Sequence, residues 1–313
     1  MNVIVGLKEI NRNKKRGVAL GNFDGVHIGH QQLISTLVDK SREGKLESSV
    51  YTFRNHPLAY VSKGEGPPLI TSIEVKTKIL EEFNVETLIL DEFNEEIMSL
   101  SPEDFIKEIL VNKLNCKVAI VGFDYRFGYK AQGDVKLLKD LGKKYEIEVF
   151  EIDPVVLYNE KVSSSSIRKY IWDGKIDLAN EFLGRYYSLY SRVVHGMGRG
   201  KFLGYPTANS LIEPFHLIPK EGVYATFVIV GGKTYMGATC VGTNPTFNGK
   251  NTTVETFIID YKGSLYDQFI EIKFVMRIRD NVKFENVDDL VEQMMLDVEN
   301  AKKYLQGKQT MLK

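Results

Sequence analysis

The hydrophobic pattern changes period once along the chain, near Gly184–Tyr187, and that change limits the fold more than any one motif does. Before it, short apolar runs alternate with helical spacings. Gly17–Phe23, Ser48–Phe53, Glu86–Leu90, Lys117–Val121 and Glu146–Glu151 read as strands. A helix is expected from about Ile28. Thr71 with Glu74 forms a capping box ahead of Ile79, Leu80 and Phe83. Ser101-Pro102-Glu103-Asp104 opens another helix, and Asp134–Tyr145 is a further one. Strand and helix in alternation predict a parallel sheet with helices on its faces. After the change, short strands are separated by glycine turns: Ser188–Val194, Val223–Val230, Thr234–Val241, Thr253–Asp260 and Phe269–Met276. Val287, Leu290, Val291, Met294, Val298 and Ala301 then recur at helical spacing, so a closing helix lays one face on this β domain. The expectation is two domains, 1–185 and 186–313.

Charge and cysteine content narrow the function. Lys+Arg and Asp+Glu are each 41, and a zero balance argues against gripping a long stretch of nucleic acid, which needs a basic footprint. The longest apolar run, Val223–Val230, is broken by Thr226 and is too short to span a bilayer. The first residues place an apolar patch before their charges, the reverse of a secretion signal. Cys116 and Cys240 are single and far apart, which excludes a CxxC pair, a cysteine zinc site and a disulfide framework. The reading is a cytoplasmic protein with small-molecule substrates, no nucleic-acid or membrane partner, and a monomeric or weakly homo-oligomeric state. The basic run Arg12–Arg16 reads as a solvated turn.

Five stretches carry chemistry. Gly21-Asn22-Phe23-Asp24-Gly25-Val26-His27-Ile28-Gly29-His30 follows an apolar strand and opens a helix, so its backbone N–H groups and the helix dipole suit a phosphate. Gly29 allows close approach of a nucleotide. His27 and His30 share a helix face and could donate to a phosphoryl group; a two-histidine metal site is the competing reading. Ser163, Ser164, Ser165, Ser166 and Arg168 at a helix start form an anion cradle or an ordinary serine cap. Gly122–Gly128, with Asp124, Arg126 and Phe127, follows a strand at the edge where α/β sheets bind ligands. Gly198–Asn209 is glycine-rich, and Thr207 and Asn209 offer oxygen to Mg²⁺. Glu255 lies in an apolar strand pattern, where an acid needs a reason.

The first stretch resembles the HxGH signature of the nucleotidyltransferase superfamily, and the serine-arginine stretch is similar to its ISSTxIR element, with Val162 and Ser165 at the Ile and Thr positions. Thr52-Phe53, His56-Pro57 and Gly122–Gly128 resemble the flavin-side elements of prokaryotic FAD synthetases. Gly204-Tyr205-Pro206-Thr207-Ala208-Asn209, Gly222-Val223-Tyr224-Ala225 and Glu255 to Tyr266 resemble riboflavin kinases, whereas Asn244 departs from an arginine common there. The chain is therefore identified as a member of the prokaryotic bifunctional riboflavin kinase/FAD synthetase family. The resemblance implies an α/β, Rossmann-like nucleotidyltransferase domain followed by a β-barrel kinase domain with a terminal helix. It implies riboflavin and ATP going to FMN and ADP, then FMN and ATP to FAD and pyrophosphate, with Mg²⁺. His27, His30 and Arg168 would act on the triphosphate, with Gly21, Asn22, Phe23, Gly29, Ser163 and Ser164 around that ATP. Asp124, Arg126, Phe127 and His56 would face its flavin. Glu255 would be the kinase base, Gly198, Lys201, Gly204, Thr207 and Asn209 would hold the kinase ATP and metal, and Tyr224 and Arg279 its flavin. A tRNA binder and a flavin sensor are the rivals; zero net charge weighs against the first and the intact motif residues against the second.

Overall fold

The computed structural model describes residues 1–55, 57–62, 64, 66–196, 199–243 and 252–308, leaving the side chains of Arg199 and Lys201 aside. The chain divides into two compact units. Met1–Pro68 with Ile73–Ser163 form the first, and Leu69–Ser72 with Ser164–Lys313 the second.

The first unit is a parallel sheet. Its strands are β1 (Asn2–Val5), β2 (Arg16–Leu20), β3 (Glu47–Phe53), β4 (Thr87–Asp91), β5 (Cys116–Gly122) and β6 (Glu148–Ile152). They lie in the order β1-β4-β3-β2-β5-β6, every neighbouring pair parallel. The chain steps from β2 outward to β3 and β4, then returns to place β5 on the other side of β2. The carboxyl ends of β2 and β5 thus flank the switch point where open α/β sheets bind ligands. Helix α1 (Ile28–Gly44) packs on β2, β3 and β5. Two short helices, α2 (Pro57–Val61) and the later α4 (Glu95–Ser99), flank α3 (Ile73–Glu82). As the cap motif predicts, the Ser101 hydroxyl accepts the Asp104 N–H at 3.1 Å and Pro102 opens α5 (Pro102–Asp104). That turn runs straight into a π-helix, Phe105–Lys113, whose Phe105, Ile106, Ile109 and Leu110 are buried. Asp134 caps α6 (Val135–Lys144) through the Leu137 N–H. A hairpin, β7 (Val156–Leu157) and β8 (Glu160–Lys161), turns through Tyr158 and Asn159, both at positive φ.

Arg16 corrects the solvated-turn expectation. It is buried at the start of β2, pairs with Glu47 at 2.8 Å and donates to the Leu114 carbonyl at 3.1 Å. A guanidinium with several partners can be buried where an unpaired cation cannot.

In the second unit α7 (Ser164–Trp172) and α8 (Ile176–Leu183) precede a closed six-stranded barrel. The barrel strands are β9 (Tyr187–Val194), β10 (Thr207–Leu211), β11 (Gly222–Val230), β12 (Lys233–Thr243), β13 (Thr252–Ile258) and β14 (Phe269–Arg279), with the short helix α9 (Arg199–Phe202) before β10. The order β10-β13-β12-β11-β14-β9 closes on itself through β9 and β10, and each pairing is antiparallel. Closure leaves no edge strand in the barrel. Thr226, which broke the apolar run, points inward: its hydroxyl meets Thr239 at 2.8 Å, which meets Thr256 at 2.9 Å. Each of these three buried hydroxyls thereby finds a partner.

The terminal helix α10 (Val287–Leu305) packs on β11, β12 and β14. Its buried positions are Asp297, Ala301 and Leu305, whereas Val287 is exposed. The contact face is thus concentrated toward the helix's second half. There the Asp297 carboxylate receives Nε and Nη2 of Arg279 at 2.7 and 2.6 Å, an anchor that an apolar periodicity cannot reveal.

Candidate active sites

In the first unit, the turn between β2 and α1 is strained. Phe23, Gly25 and Val26 have φ of 47, 85 and 38°. A β-branched residue in the left-handed region is costly, and such strain is concentrated at binding sites. His27 caps α1: its Nδ1 accepts the His30 N–H at 3.2 Å. With Nδ1 so used, the ring proton of neutral His27 sits on Nε2, a donor. The two imidazoles stack, centroids 3.6 Å apart and planes 14° apart, so they act as one surface. The imidazole of His27 also lies over Gly29, where a Cβ would come within 3.3 Å of the ring. No acidic residue occupies the first turn of α1, which leaves its positive end for an anion.

The back of this turn is held from beneath. The Asn22 carbonyl accepts the Thr52 hydroxyl at 3.0 Å and the Lys76 ammonium at 2.9 Å. Lys76, Thr52 and Asp24 are all buried. Sequence reading passed over Lys76 because one lysine on an amphipathic helix looks like a solvent-facing residue; the lysine sits only three residues before the apolar Ile79, which was the available signal.

At the neighbouring strand end the Gly122–Gly128 loop splits its side chains. Phe127 is buried against Phe105 and stacks on Tyr125. Its backbone pairs with Gly133, where a Cβ would strike the Phe127 ring at 2.7 Å. Asp124 is exposed and pairs with Lys161 at 2.9 Å. Arg126 lines a cavity of about 690 Å³ with Phe123, Tyr125, Lys136 and Val149, a volume in the range of small-ligand sites. On the same sheet face Tyr51, Phe53, Phe93, Phe105, Tyr125 and Phe127 form a run of ring contacts. At its base the Tyr51 hydroxyl donates to Asp91 at 2.7 Å. Burial pushes the pKa of both groups up, Asp91 being partly restrained by that hydrogen bond. His56 lies outside the described residues. Ser163 ends the first unit, and Ser164 and Arg168 lie on α7 in the second, Arg168 buried.

In the second unit, the glycine-rich stretch runs through the short helix α9 and its Thr207–Asn209 end enters strand β10. Thr207 and Asn209 face the same side, two residues apart, and Asn209 stands opposite Glu255 of β13. The Thr207 hydroxyl donates to Glu255 Oε2 at 3.3 Å. Val254 and Thr256 point into the barrel, so Glu255 faces outward with both β10 side chains. Two hard oxygen donors beside a carboxylate suit a hard divalent cation. Gly196 leaves the room they need, since a Cβ there would meet the Asn209 amide at 2.4 Å. Gly204 takes φ of +84°. Gly198 and Asn244 lie outside the described residues, and the Lys201 backbone lies in α9. Tyr224 is fully buried, its hydroxyl donating to the Lys220 carbonyl, and burial pushes its pKa up to about 12. Arg279 is engaged by Asp297 and the Asp280 carbonyl. Among the described residues no group of three or more His, Cys, Asp or Glu side chains could hold a metal ion, so the two-histidine reading gains no third ligand of these types. Nor is any helix among them long and apolar enough to cross a membrane.

The family model of FAD synthetase matches residues 9–166, and that of riboflavin kinase matches residues 183–305. The chain belongs to the bifunctional riboflavin kinase/FAD synthetase family. Relatives named bifunctional riboflavin kinase/FMN adenylyltransferase share its length. One from Buchnera aphidicola (subsp. Acyrthosiphon pisum) is 37% identical over 96% of both chains. Another, from Escherichia coli K12, is 31% identical over 97% of this chain and 98% of its own. A solved structure described as a macrolide-efflux protein from Streptococcus pneumoniae matches with a TM-score of 0.86 and 31% identity, over 96% of this chain and 99% of that one. In family terms the sheet unit carries the nucleotidyltransferase fold and the closed barrel with its terminal helix the riboflavin kinase fold.

Proposed function

We propose that the chain phosphorylates riboflavin on its barrel and adenylylates the resulting FMN on its sheet unit. The observation that carries this reading is the pairing of two separate phosphate-handling arrangements, the His27–His30 helix start and the Thr207–Asn209–Glu255 patch, with a family match running through both.

On the barrel, Glu255 would accept the proton of the riboflavin 5′-hydroxyl as that oxygen attacks the γ-phosphorus of ATP, releasing ADP. Thr207, by donating to Oε2, orients the carboxylate. A divalent cation would be held by Thr207 and Asn209 and would neutralise triphosphate charge. On the sheet unit, an FMN phosphate oxygen would attack the α-phosphorus of a second ATP, and pyrophosphate would leave. The positive end of α1 and the His27 Nε2–H would stabilise the negative charge that grows on the departing phosphates. Gly21, Asn22, Phe23 and Gly29 would shape that ATP site, with Ser163, Ser164 and Arg168 assigned to the same triphosphate on their motif. The aromatic run ending at Phe127 would take the flavin ring, with Asp124 and Arg126 at its rim. The enzyme would be cytoplasmic, and monomeric or weakly associating.

A time course with riboflavin and Mg-ATP, its flavins separated by chromatography, tests the reading. FMN should rise first and FAD follow; no FMN overturns it. In the Glu255→Gln variant FMN formation should fall by about two to four orders of magnitude, the usual contribution of a general base. Added FMN should still be adenylylated. Joint loss of both reactions in a folded variant would sink the two-site assignment.

A further inference from the structure

The Asn22 carbonyl is fixed by two buried donors, Thr52 from β3 and Lys76 from α3. The peptide joining Asn22 to Phe23 is trans, so its carbonyl and the Phe23 N–H point opposite ways. Holding the oxygen inward therefore aims the Phe23 N–H outward, from the same turn that leads into His27 and α1. Thr52 alone would anchor that oxygen. Lys76 adds a positive charge at 6% exposure, and among the described residues it forms no salt bridge. A lysine buried with no carboxylate at salt-bridge distance, only the Coulombic pull of Asp24, is rare, because its desolvation is expensive.

We propose that Lys76 is a positioning residue for adenylyl transfer: its buried ammonium sets the Asn22–Phe23 peptide and places a weakly screened positive charge behind the triphosphate turn. This rests on reading that turn as the triphosphate site. The charge never needs to touch the nucleotide, because in a water-poor interior it is felt over distances at which an exposed lysine would be screened. The groups that face it are the Asn22 carbonyl, the Thr52 hydroxyl and the buried carboxylate of Asp24. Burial draws its pKa down, and Asp24 partly restores it. The lysine should accordingly begin to lose its proton below the pH at which a solvated one does, and adenylyl transfer should weaken over that alkaline range.

The test uses the full chain, with FAD formation from added FMN measured against ATP concentration and pH, and FMN formation as an internal control of folding. Lys76→Met should lower kcat/KM for ATP by about 10- to 100-fold, the scale of losing a partner that orients a site from behind, while FMN formation is unchanged. Lys76→Arg, which keeps its charge at every accessible pH, should recover most of the activity and flatten the alkaline fall seen in the parent chain. Wild-type kcat/KM in Lys76→Met overturns the inference. So does equal loss in the Met and Arg variants with the alkaline fall still present in Lys76→Arg, which would mark a packing role. The underlying reading fails separately, through a parent chain that makes FMN yet neither binds Mg-ATP on its first unit nor forms FAD.

Discussion

Tyr51 and Asp91 show what one buried hydrogen bond does at the base of an aromatic site. The Tyr51 hydroxyl supplies one donor to the carboxylate and the Glu92 N–H another at 3.0 Å. Burial raises the Asp91 pKa and these bonds lower it. Because the net folded value is above the ordinary one, the native state holds this proton more tightly than the unfolded chain, and stability from this group is lost as pH rises through the folded value. Tyr51→Phe removes a donor from an ionised, buried acceptor. It should cost about 1.5–3 kcal/mol at pH 8 and progressively less as pH falls through the Asp91 value, where the acid neutralises. Thermal unfolding followed from pH 8 down through the titration of Asp91 checks this; a loss that stays constant across that titration would contradict it. At this scale the barrel side chains proposed to carry its chemistry, Thr207, Asn209 and Glu255, were legible as types in motifs, and the structure brings them together. Arg16, Lys76 and Asp91 were not, because their partners lie far along the chain and a charged residue with distant partners looks like any surface charge.

At the scale of elements, the sheet strands β2 to β6 and their helices follow from periodicity and caps, and the structure matches those expectations to within a few residues. Strand β10 does not follow. Thr-Ala-Asn-Ser alternates no apolar residues, and the strand exists because β9 and β13 pair with it on either side. The π-helix is equally hidden, since its wider turn is expressed only against the sheet it packs on. The turn between β2 and α1 is the element on which the proposed adenylyl transfer leans hardest. Gly25 at φ of 85° can be replaced only with strain. Gly25→Ala should cost about 1–2 kcal/mol and reduce FAD formation from added FMN, while riboflavin phosphorylation keeps its parent rate. Parallel assays of the two reactions in one preparation decide it, and a parallel decline in both would show that the strain spreads beyond the turn.

For the whole molecule, the His27–His30 helix start and the Thr207–Asn209–Glu255 patch lie on separate compact units, each with its own core. FMN made on one should leave before it is used on the other. With labelled riboflavin and an excess of unlabelled FMN, the label reaching FAD should therefore fall in proportion to the dilution. Undiluted label in FAD would mean direct transfer. The division into units has one further consequence, which concerns the order in which the chain is made. Leu69–Ser72 belongs to the second unit although it is synthesised in the middle of the first. The Leu69 N–H donates to the Phe215 carbonyl at 2.7 Å and the Leu69 carbonyl accepts the Leu217 N–H at 2.9 Å. On a ribosome adding roughly 5–20 residues per second, those partners are made about 7–30 s after Leu69 itself. During that interval Leu69 has nothing to pair with, and its two backbone bonds wait for the segment made between β10 and β11.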